Sequence, residues 1–472
     1  MTIKFGTDGW RGVIAEDFTF ENVRKVAQAM ADYVQKTEAA KGKPQVVVGY
    51  DKRFLSEEYA KAVCEVLAAN NITALFTGKP TPTPAITMAI KKHKLSGGII
   101  LTASHNPPKF NGIKFKTKDA APADGAVTAE IENLIGKNEV KHADFDACIK
   151  EKTIKVVDID NDYLNFIKHY IDFSVIKNKN ISLLVDYMHG TGAGYFEKLL
   201  DKSRCRITAL HAERNPSFGG NNPEPVPKNL KEFLKNAKSK KADLAVALDG
   251  DSDRIGGAGA DGEYLGSGQI ISLILLHLLE CRKLRGKVIK TISGTNLIEK
   301  IARDFGLELI ETPVGFKHIS KIMLKEDVLI GGEESGGIGF KGYIPERDGL
   351  VSGLFLLEMV AKNKKPIHKI MNDVYKRYGR YYYDRLDVEL PVAKGLNAVS
   401  MLKKSPPDKL SGKKIKQIKS YDGIKFILED SSWLLIRASG TEPIIRIYAE
   451  ALSKKDVNTL LNLGKELAFK WN

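Results

Sequence analysis

The chain has 472 residues, 43% hydrophobic and 28% charged, with 73 Lys plus Arg against 58 Asp plus Glu and a formal charge of +15. That length predicts about three or four domains, and the composition excludes a largely disordered or fibrous chain. A start, MTIKFGTDGW, without the basic-then-apolar order of a secretory signal, an apolar helical stretch at 270–279 too short for a bilayer, and four scattered cysteines (Cys64, Cys148, Cys205, Cys281) with no CxxC pair set a cytoplasmic location as the expectation.

In chain order, Phe5-Gly6-Thr7-Asp8-Gly9-Trp10-Arg11-Gly12 reads as a glycine loop with Arg11 as an anion ligand. Helical periodicity over 21–34 and 57–69 flanks the apolar run 46–48, and the strand predicted at 97–101 leads into Thr102-Ala103-Ser104-His105-Asn106-Pro107-Pro108 and on to Lys114. Ser104 thus stands at the carboxyl edge of a sheet, where α/β proteins bind ligands, although Asn-Pro-Pro alone signals only a rigid turn. No G-x-S-x-G elbow and no Gly-Lys-Ser/Thr sequence is present, which excludes those two nucleophile and nucleotide motifs.

Strands follow at 183–185 and 244–248, the second running into Asp249-Gly250-Asp251-Ser252-Asp253-Arg254. Carboxylates at i, i+2 and i+4 of an extended segment project to one side and suit Mg²⁺, whereas a solvated acidic turn is the plainer alternative. An EF-hand is excluded, because Arg254 stands where glycine is needed and Ala260 where the bidentate glutamate belongs. Mg²⁺ seldom accepts an all-protein cage, so a phosphate oxygen is expected to join the aspartates.

A helix at 270–284 and a strand at 288–289 precede the strand 327–330, after which Gly331-Gly332-Glu333-Glu334-Ser335-Gly336-Gly337 sets carboxylates among glycines. Such a loop can reach sugar hydroxyls or be mere solvated turn. Strands predicted at 382–390, 416–428, 433–438 and 444–449, with a helix capped at Ser453, make a separate α+β tail. Its Arg437-Ala438-Ser439-Gly440-Thr441-Glu442-Pro443 segment, with Arg446 beyond, has the arginines, hydroxyls and glycine of a phosphate cradle, a hairpin turn being the alternative. Lysine-rich joints are expected at 136–152 and 362–365, and strand alternating with helix elsewhere implies layered α/β domains with largely parallel sheets.

FGTDGWRG, TASHNPPKFNGIKF, DGDSDR, GGEESGG and RASGTEPIIR, in that order over almost the whole chain, strongly resemble the α-D-phosphohexomutase family, nearest its bacterial and archaeal phosphoglucomutases and phosphomannomutases. The resemblance implies an α/β fold of three related mixed-sheet α/β/α domains and a smaller C-terminal α+β domain around a central cleft. The expected domains are 1–150 with the phosphoserine loop, 151–254 with the metal loop, 255–368 with the sugar loop and 369–472 with the phosphate cradle. It implies hexose 1-phosphate and hexose 6-phosphate as small-molecule partners, interconverted through a phosphoserine at Ser104 and a hexose 1,6-bisphosphate. Mg²⁺ would be held by Ser104, Asp249, Asp251 and Asp253, with glucose 1,6-bisphosphate as activator.

The same resemblance assigns Lys114, aided by Arg11, as the base, His105 to orient the phosphoserine and Arg254 to supply charge. Glu333, Ser335 and, more loosely, Lys317 would meet the sugar; Arg437, Ser439, Gly440, Thr441 and Arg446 would grip the idle phosphate. The sugar loop is neither the GEES-plus-aromatic form of glucose-selective members nor the GxSGH form of dual-specificity and glucosamine enzymes, and Trp10 stands where glucosamine enzymes often have isoleucine. Glucose and mannose phosphates are the expected substrates, with phosphoglucosamine as the near alternative and a Mg²⁺-dependent sugar phosphatase as the alternative of another class. The charge allows a nucleic-acid partner, but the basic-aromatic signatures of common RNA and DNA modules are missing, so none is expected, and no membrane partner either. Residues 361–472 hold 23 Lys plus Arg against 12 Asp plus Glu, placing most of the excess in the tail.

Overall fold

Apolar runs with no polar face must be covered on both sides, and they form the centre of each sheet. The computed structural model describes residues 3–6, 9–38, 42–440 and 443–470, which form two compact units: 1–286 with 316–371, and 287–315 with 372–472. Among the described residues no helix is long and apolar enough to cross a membrane.

The first unit opens with a six-stranded sheet in the order Gly9–Val13, Phe110–Thr117, Gly97–Leu101, Gln45–Tyr50, Thr73–Phe76, Ile154–Val156. Its first two pairings are antiparallel and the rest parallel, so the sheet is mixed. Helices Phe20–Glu38 and Ser56–Ala69 lay Val26, Met30, Tyr59 and Val63 on Val46, Val48, Ile99 and Phe115, all buried. Each such side chain contributes roughly 1.5–3 kcal/mol on burial. Trp10 belongs to this core, stacked on Phe18 at 4.8 Å between ring centres. The lysine-rich stretch expected as a joint at 136–152 contains the helix Phe145–Lys150, whose Cys148 is buried in the same core, because its apolar residues fall on one helical face.

A second mixed sheet follows in the order Tyr264–Leu265, Ile255–Ala258, Leu244–Leu248, Ser182–Asp186, Arg206–Leu210. The helix expected at 270–284 is α-helical over Ser267–Leu276 and widens into a π-helical turn at His277–Cys281. The wider turn lets His277 Nε2 and Arg282 Nε both reach Glu358 Oε1, each at 3.0 Å. The antiparallel pair Val328–Gly332 and Ile338–Phe340 belongs to this unit, and the parallel pair Lys287–Thr291 and Leu309–Thr312 to the other.

In the second unit six antiparallel strands run in the order Tyr382–Glu389, Ile444–Ala451, Trp433–Ala438, Ile424–Leu428, Lys413–Lys419, Lys409–Leu410. The single strand expected at 416–428 is two, folded back at Asp422-Gly423, the kind of dipeptide that favours a tight hairpin. The closing helix Lys454–Phe469 begins at Ser453, whose Oγ accepts from Asp456 N at 3.1 Å, and packs Val457 and Leu460 on Leu434 and Ile447. The segment 287–315 is tied to this sheet by Glu450 Oε1, which accepts from Asn296 N (2.9 Å) and Trp433 Nε1 (3.1 Å). Lys425 Nζ donates to the Ile292 carbonyl at 2.6 Å, and burial lowers this lysine to a pKa of about 7.

Candidate active site

The strand Gly97–Leu101 ends in a loop that puts Ser104 in the left-handed region at φ 51° and buries it. Thr102 Oγ1 accepts from Ser104 N at 2.8 Å and donates to Asp51 Oδ2 at 2.6 Å. Behind the loop the fully buried Arg53 guanidinium donates to the carbonyls of Ser104 (2.7 Å), Asn106 (2.7 Å), Pro107 (2.9 Å) and Phe110 (3.0 Å) and to Asp51 Oδ2 (3.1 Å). A planar fork satisfying carbonyls on one side and a carboxylate on the other makes the loop rigid.

The second sheet delivers the acidic loop. Asp249, Asp251 and Asp253 follow the strand Leu244–Leu248, are fully buried and bring one carboxylate oxygen each within 4.8 Å of the others. Ser104 Oγ donates to Asp249 Oδ2 at 2.9 Å, so the two loops meet at the serine hydroxyl. Gly250 permits the approach: a Cβ there would stand 2.7 Å from the Ser104 carbonyl oxygen. Asp251 Oδ2 accepts from Lys114 Nζ at 2.8 Å and from Thr83 Oγ1 at 2.7 Å, and Lys114 Nζ is 3.5 Å from Asp253 Oδ2. Arg254 Nε lies 4.0 Å from Asp249 Oδ2 and 3.8 Å from Asp253 Oδ1.

Burial, and then the charges of Asp253 and Asp251, push Asp249 well above the usual carboxylate range. Burial works to raise Asp251 too, but the Lys114 ammonium and the Thr83 hydroxyl hold it below that range. Asp251 Oδ1 and Asp253 Oδ1 are buried and make no hydrogen bond among the described residues. Clustered hard oxygens with unsatisfied lone pairs fit a small dication such as Mg²⁺.

The remaining residues singled out in the sequence fall in two groups. Arg11 and Lys114 stand on the paired strands Gly9–Val13 and Phe110–Thr117, with Arg11 Nη1 donating to Asn106 Oδ1 at 2.8 Å, and His105 Nδ1 is 3.4 Å from Ser104 Oγ. Glu333 is buried beside the acidic loop through Arg347, while Ser335 and Lys317 are half-exposed in the same unit, on the loop and on the helix Phe316–Met323. Burial raises Glu333 to a pKa of about 7 against the opposing pull of Arg347. Arg437, Ser439, Gly440 and Arg446 cluster in the second unit: Arg437 and Arg446 are cross-strand partners and Ser439 N donates to the Ile444 carbonyl at 3.0 Å. Thr441 lies outside the described residues.

Sequence reasoning missed Asp51, Arg53, Thr83 and Arg347. The available signals were charged triplets where apolar strands or helices begin and end: Asp51-Lys52-Arg53 after Gln45–Tyr50, and Glu346-Arg347-Asp348 before Gly349–Asn363.

Four family models match the chain in order: phosphoglucomutase/phosphomannomutase alpha/beta/alpha domains I (residues 2–142), II (161–262) and III (267–378) and the C-terminal domain (396–462). The chain belongs to the phosphoglucomutase/phosphomannomutase family of α-D-phosphohexomutases. It is 32% identical over 463 residues to a phosphoglucomutase/phosphomannomutase of Thermococcus kodakarensis, with 98% of each chain covered. It is 30% identical over 465 residues to a phosphoglucosamine/phosphogalactosamine mutase of Sulfurisphaera tokodaii, again with 98% of each covered. A crystal structure of a putative phosphomannomutase from Thermus thermophilus superposes with a TM-score of 0.87 at 33% identity, covering 99% of both chains. This phosphohexomutase therefore has the family's three mixed α/β sheets and C-terminal antiparallel domain, and is an isomerase of that family.

Proposed function

We propose that this phosphohexomutase interconverts the 1- and 6-phosphates of glucose and mannose by two phosphoryl transfers through Ser104. In the first, the bond from phosphorus to Ser104 Oγ breaks as a sugar hydroxyl oxygen bonds to phosphorus, giving the 1,6-bisphosphate. After the sugar turns around, the other phosphoryl returns to Ser104 Oγ. Lys114, buried beside the acidic loop, takes the attacking hydroxyl's proton in its neutral amine form, which burial and the neighbouring Arg11 cation favour, and gives one back in the return step. His105 orients the serine-borne group, and Arg254 supplies positive charge to the transferring oxygens. Mg²⁺, held by Asp249, Asp251, Asp253 and an oxygen on Ser104, would offset the charge developing on those oxygens when bound.

Glu333 and Ser335 accept sugar hydroxyls in either orientation, with Lys317 alongside, and Arg437, Ser439, Gly440, Thr441 and Arg446 hold the phosphate that is not reacting. Glucose 1,6-bisphosphate rephosphorylates enzyme that has lost its phosphoryl group. The observation that carries this reading is the 2.9 Å approach of Ser104 Oγ to the buried aspartate cluster. A glucosamine phosphate is the second reading, favoured by relatives such as the Sulfurisphaera enzyme.

The test is a coupled assay on glucose, mannose and glucosamine 1-phosphates with free phosphate measured in parallel. Appearance of the 6-phosphate without matching phosphate release supports the mutase. Phosphate released faster than 6-phosphate appears makes it a phosphatase instead. The ratio of kcat/KM values among the three sugars settles the substrate.

A further inference from the structure

Arg347 joins the aspartate loop to the sugar loop through its side chain, beside the backbone bridge between Arg254 and Gly337. Its Nη2 is 2.7 Å from Asp253 Oδ2 and its Nη1 is 3.7 Å from Glu333 Oε2. The Phe316 ring lies under the guanidinium at 5.5 Å, and only 5% of the residue is exposed. Glu346 Oε1 stands 3.5 Å from Nε, and Glu346 is itself ion-paired to the buried Lys116 of the strand Phe110–Thr117. Space for this side chain exists because position 337 has none: a Cβ on Gly337 would lie 2.2 Å from Arg347 Cδ and 2.8 Å from Cγ. The last glycine of the sugar loop is thus the complement of the arginine.

We propose that Arg347 is a positioning residue that sets sugar selectivity, a fixed cation beside Glu333 that favours an uncharged hexose phosphate over its ammonium-bearing amino-sugar counterpart. The inference rests on the mutase reading, with Glu333 as a ligand of sugar hydroxyls. A hydroxyl bound to Glu333 at about 3 Å brings the ring within roughly 7 Å of the guanidinium, in a site shielded from water where like charges repel more strongly than in solvent. Removing the cation leaves Asp253 and Glu333 with less compensating charge, and both then attract an ammonium. Lysine keeps the charge but, being a point donor, does not span two carboxylates as the guanidinium fork does.

Arg347→Gln and Arg347→Lys enzymes, checked for folding by melting temperature and near-ultraviolet circular dichroism, are assayed with glucose 1-phosphate and glucosamine 1-phosphate. The wild type is expected to prefer glucose 1-phosphate. In R347Q the ratio of the two kcat/KM values should fall by about tenfold or more, the equivalent of one added charge–charge contact of about 1.4 kcal/mol. In R347K that ratio should stay within about twofold of wild type while kcat/KM falls about tenfold for both sugars. Equal losses on both sugars in R347Q, the signature of a merely structural arginine, would overturn the proposal. So would a wild-type preference for the amino sugar, full activity in R347K, or collapse of the ratio in R347K, which decides the matter if R347Q does not fold. Absence of mutase activity in the wild type would instead refute the underlying reading, before any variant is made.

Discussion

Arg53 and Ser104 are bound back to back: Arg53 Nη2 donates to the Ser104 carbonyl at 2.7 Å, while the serine hydroxyl on the other side of the residue turns to Asp249 Oδ2 at 2.9 Å. The hydroxyl proposed to carry the phosphoryl group is thus aimed by a residue that binds the opposite side of its loop. Arg53→Met removes the guanidinium that donates to four carbonyls and leaves the buried Asp51 carboxylate without its balancing charge, which should cost about 3–5 kcal/mol of stability. Arg53→Lys should lose less stability, yet its rate of phosphorylation by glucose 1,6-bisphosphate should drop at least tenfold or so, because a single ammonium cannot hold the loop at all five points. Denaturant titration and incorporation of labelled phosphate measure the two effects.

In the second unit Asp422 Oδ1 accepts from Arg437 Nε at 2.7 Å and Asp422 Oδ2 from Val314 N at 2.8 Å. The carboxylate fixes the angle of an arginine proposed to grip phosphate. Asp422→Asn should raise KM for the sugar phosphate by about tenfold and change kcat little, since it weakens binding common to ground and transition states. Steady-state kinetics that showed a fall in kcat with KM unchanged would place Asp422 in a different role.

Burial, and then the neighbouring carboxylates, disfavour the charged form of Asp249, so a dication should stabilise the fold as well as the reaction. Adding Mg²⁺ to chelator-treated protein should raise its melting temperature, with about 2.7 kcal/mol of stabilisation at a concentration one hundred times Kd. Asp251→Asn and Asp253→Asn should abolish the shift, and calorimetric titration of the same proteins checks that binding itself is lost.

Glu358 is buried; burial works to raise it, but hydrogen bonds from His277 and Arg282 win and lower its pKa to about 2. The unfolded chain, with the ordinary value of 4.5, binds more protons in between, so this stabilisation is complete above about pH 4.5 and disappears as pH falls toward 2. The linked contribution is about 3 kcal/mol. Glu358→Gln should be less stable than wild type at pH 7 and should lose the part of the acid-induced drop that falls between pH 4.5 and 2, as followed by urea midpoints at each pH.

The strands were legible because continuous apolar runs such as Leu244–Leu248 have one use in an α/β domain, and the loops that follow them carry the chemistry. The aspartate cluster could be read from its i, i+2, i+4 spacing, and five motifs in order were enough to point to the family. The hairpin at Asp422-Gly423 was hidden because strand-type residues, Ile415 and Ile418 before it and Ile424, Phe426 and Leu428 after it, come close to the turn on both sides. Thr83 was invisible for a different reason: it acts on Asp251, far away in sequence, and no local pattern records a long-range contact, just as the charged triplets around Arg53 and Arg347 gave no sign of which loops those arginines hold. Trp10, noted in the sequence for its bearing on substrate, is packed on Phe18 in the core.

The role of Ser104 is tested most directly by intact mass and peptide mapping of the purified protein, before and after incubation with glucose 1,6-bisphosphate, alongside turnover of Ser104→Ala. A single added phosphoryl group, mapped to the peptide containing Ser104 and chased off by hexose monophosphate, with turnover reduced by about a thousandfold or more in the alanine enzyme, is the predicted result. Phosphate mapped elsewhere, or undiminished turnover in Ser104→Ala, would contradict it.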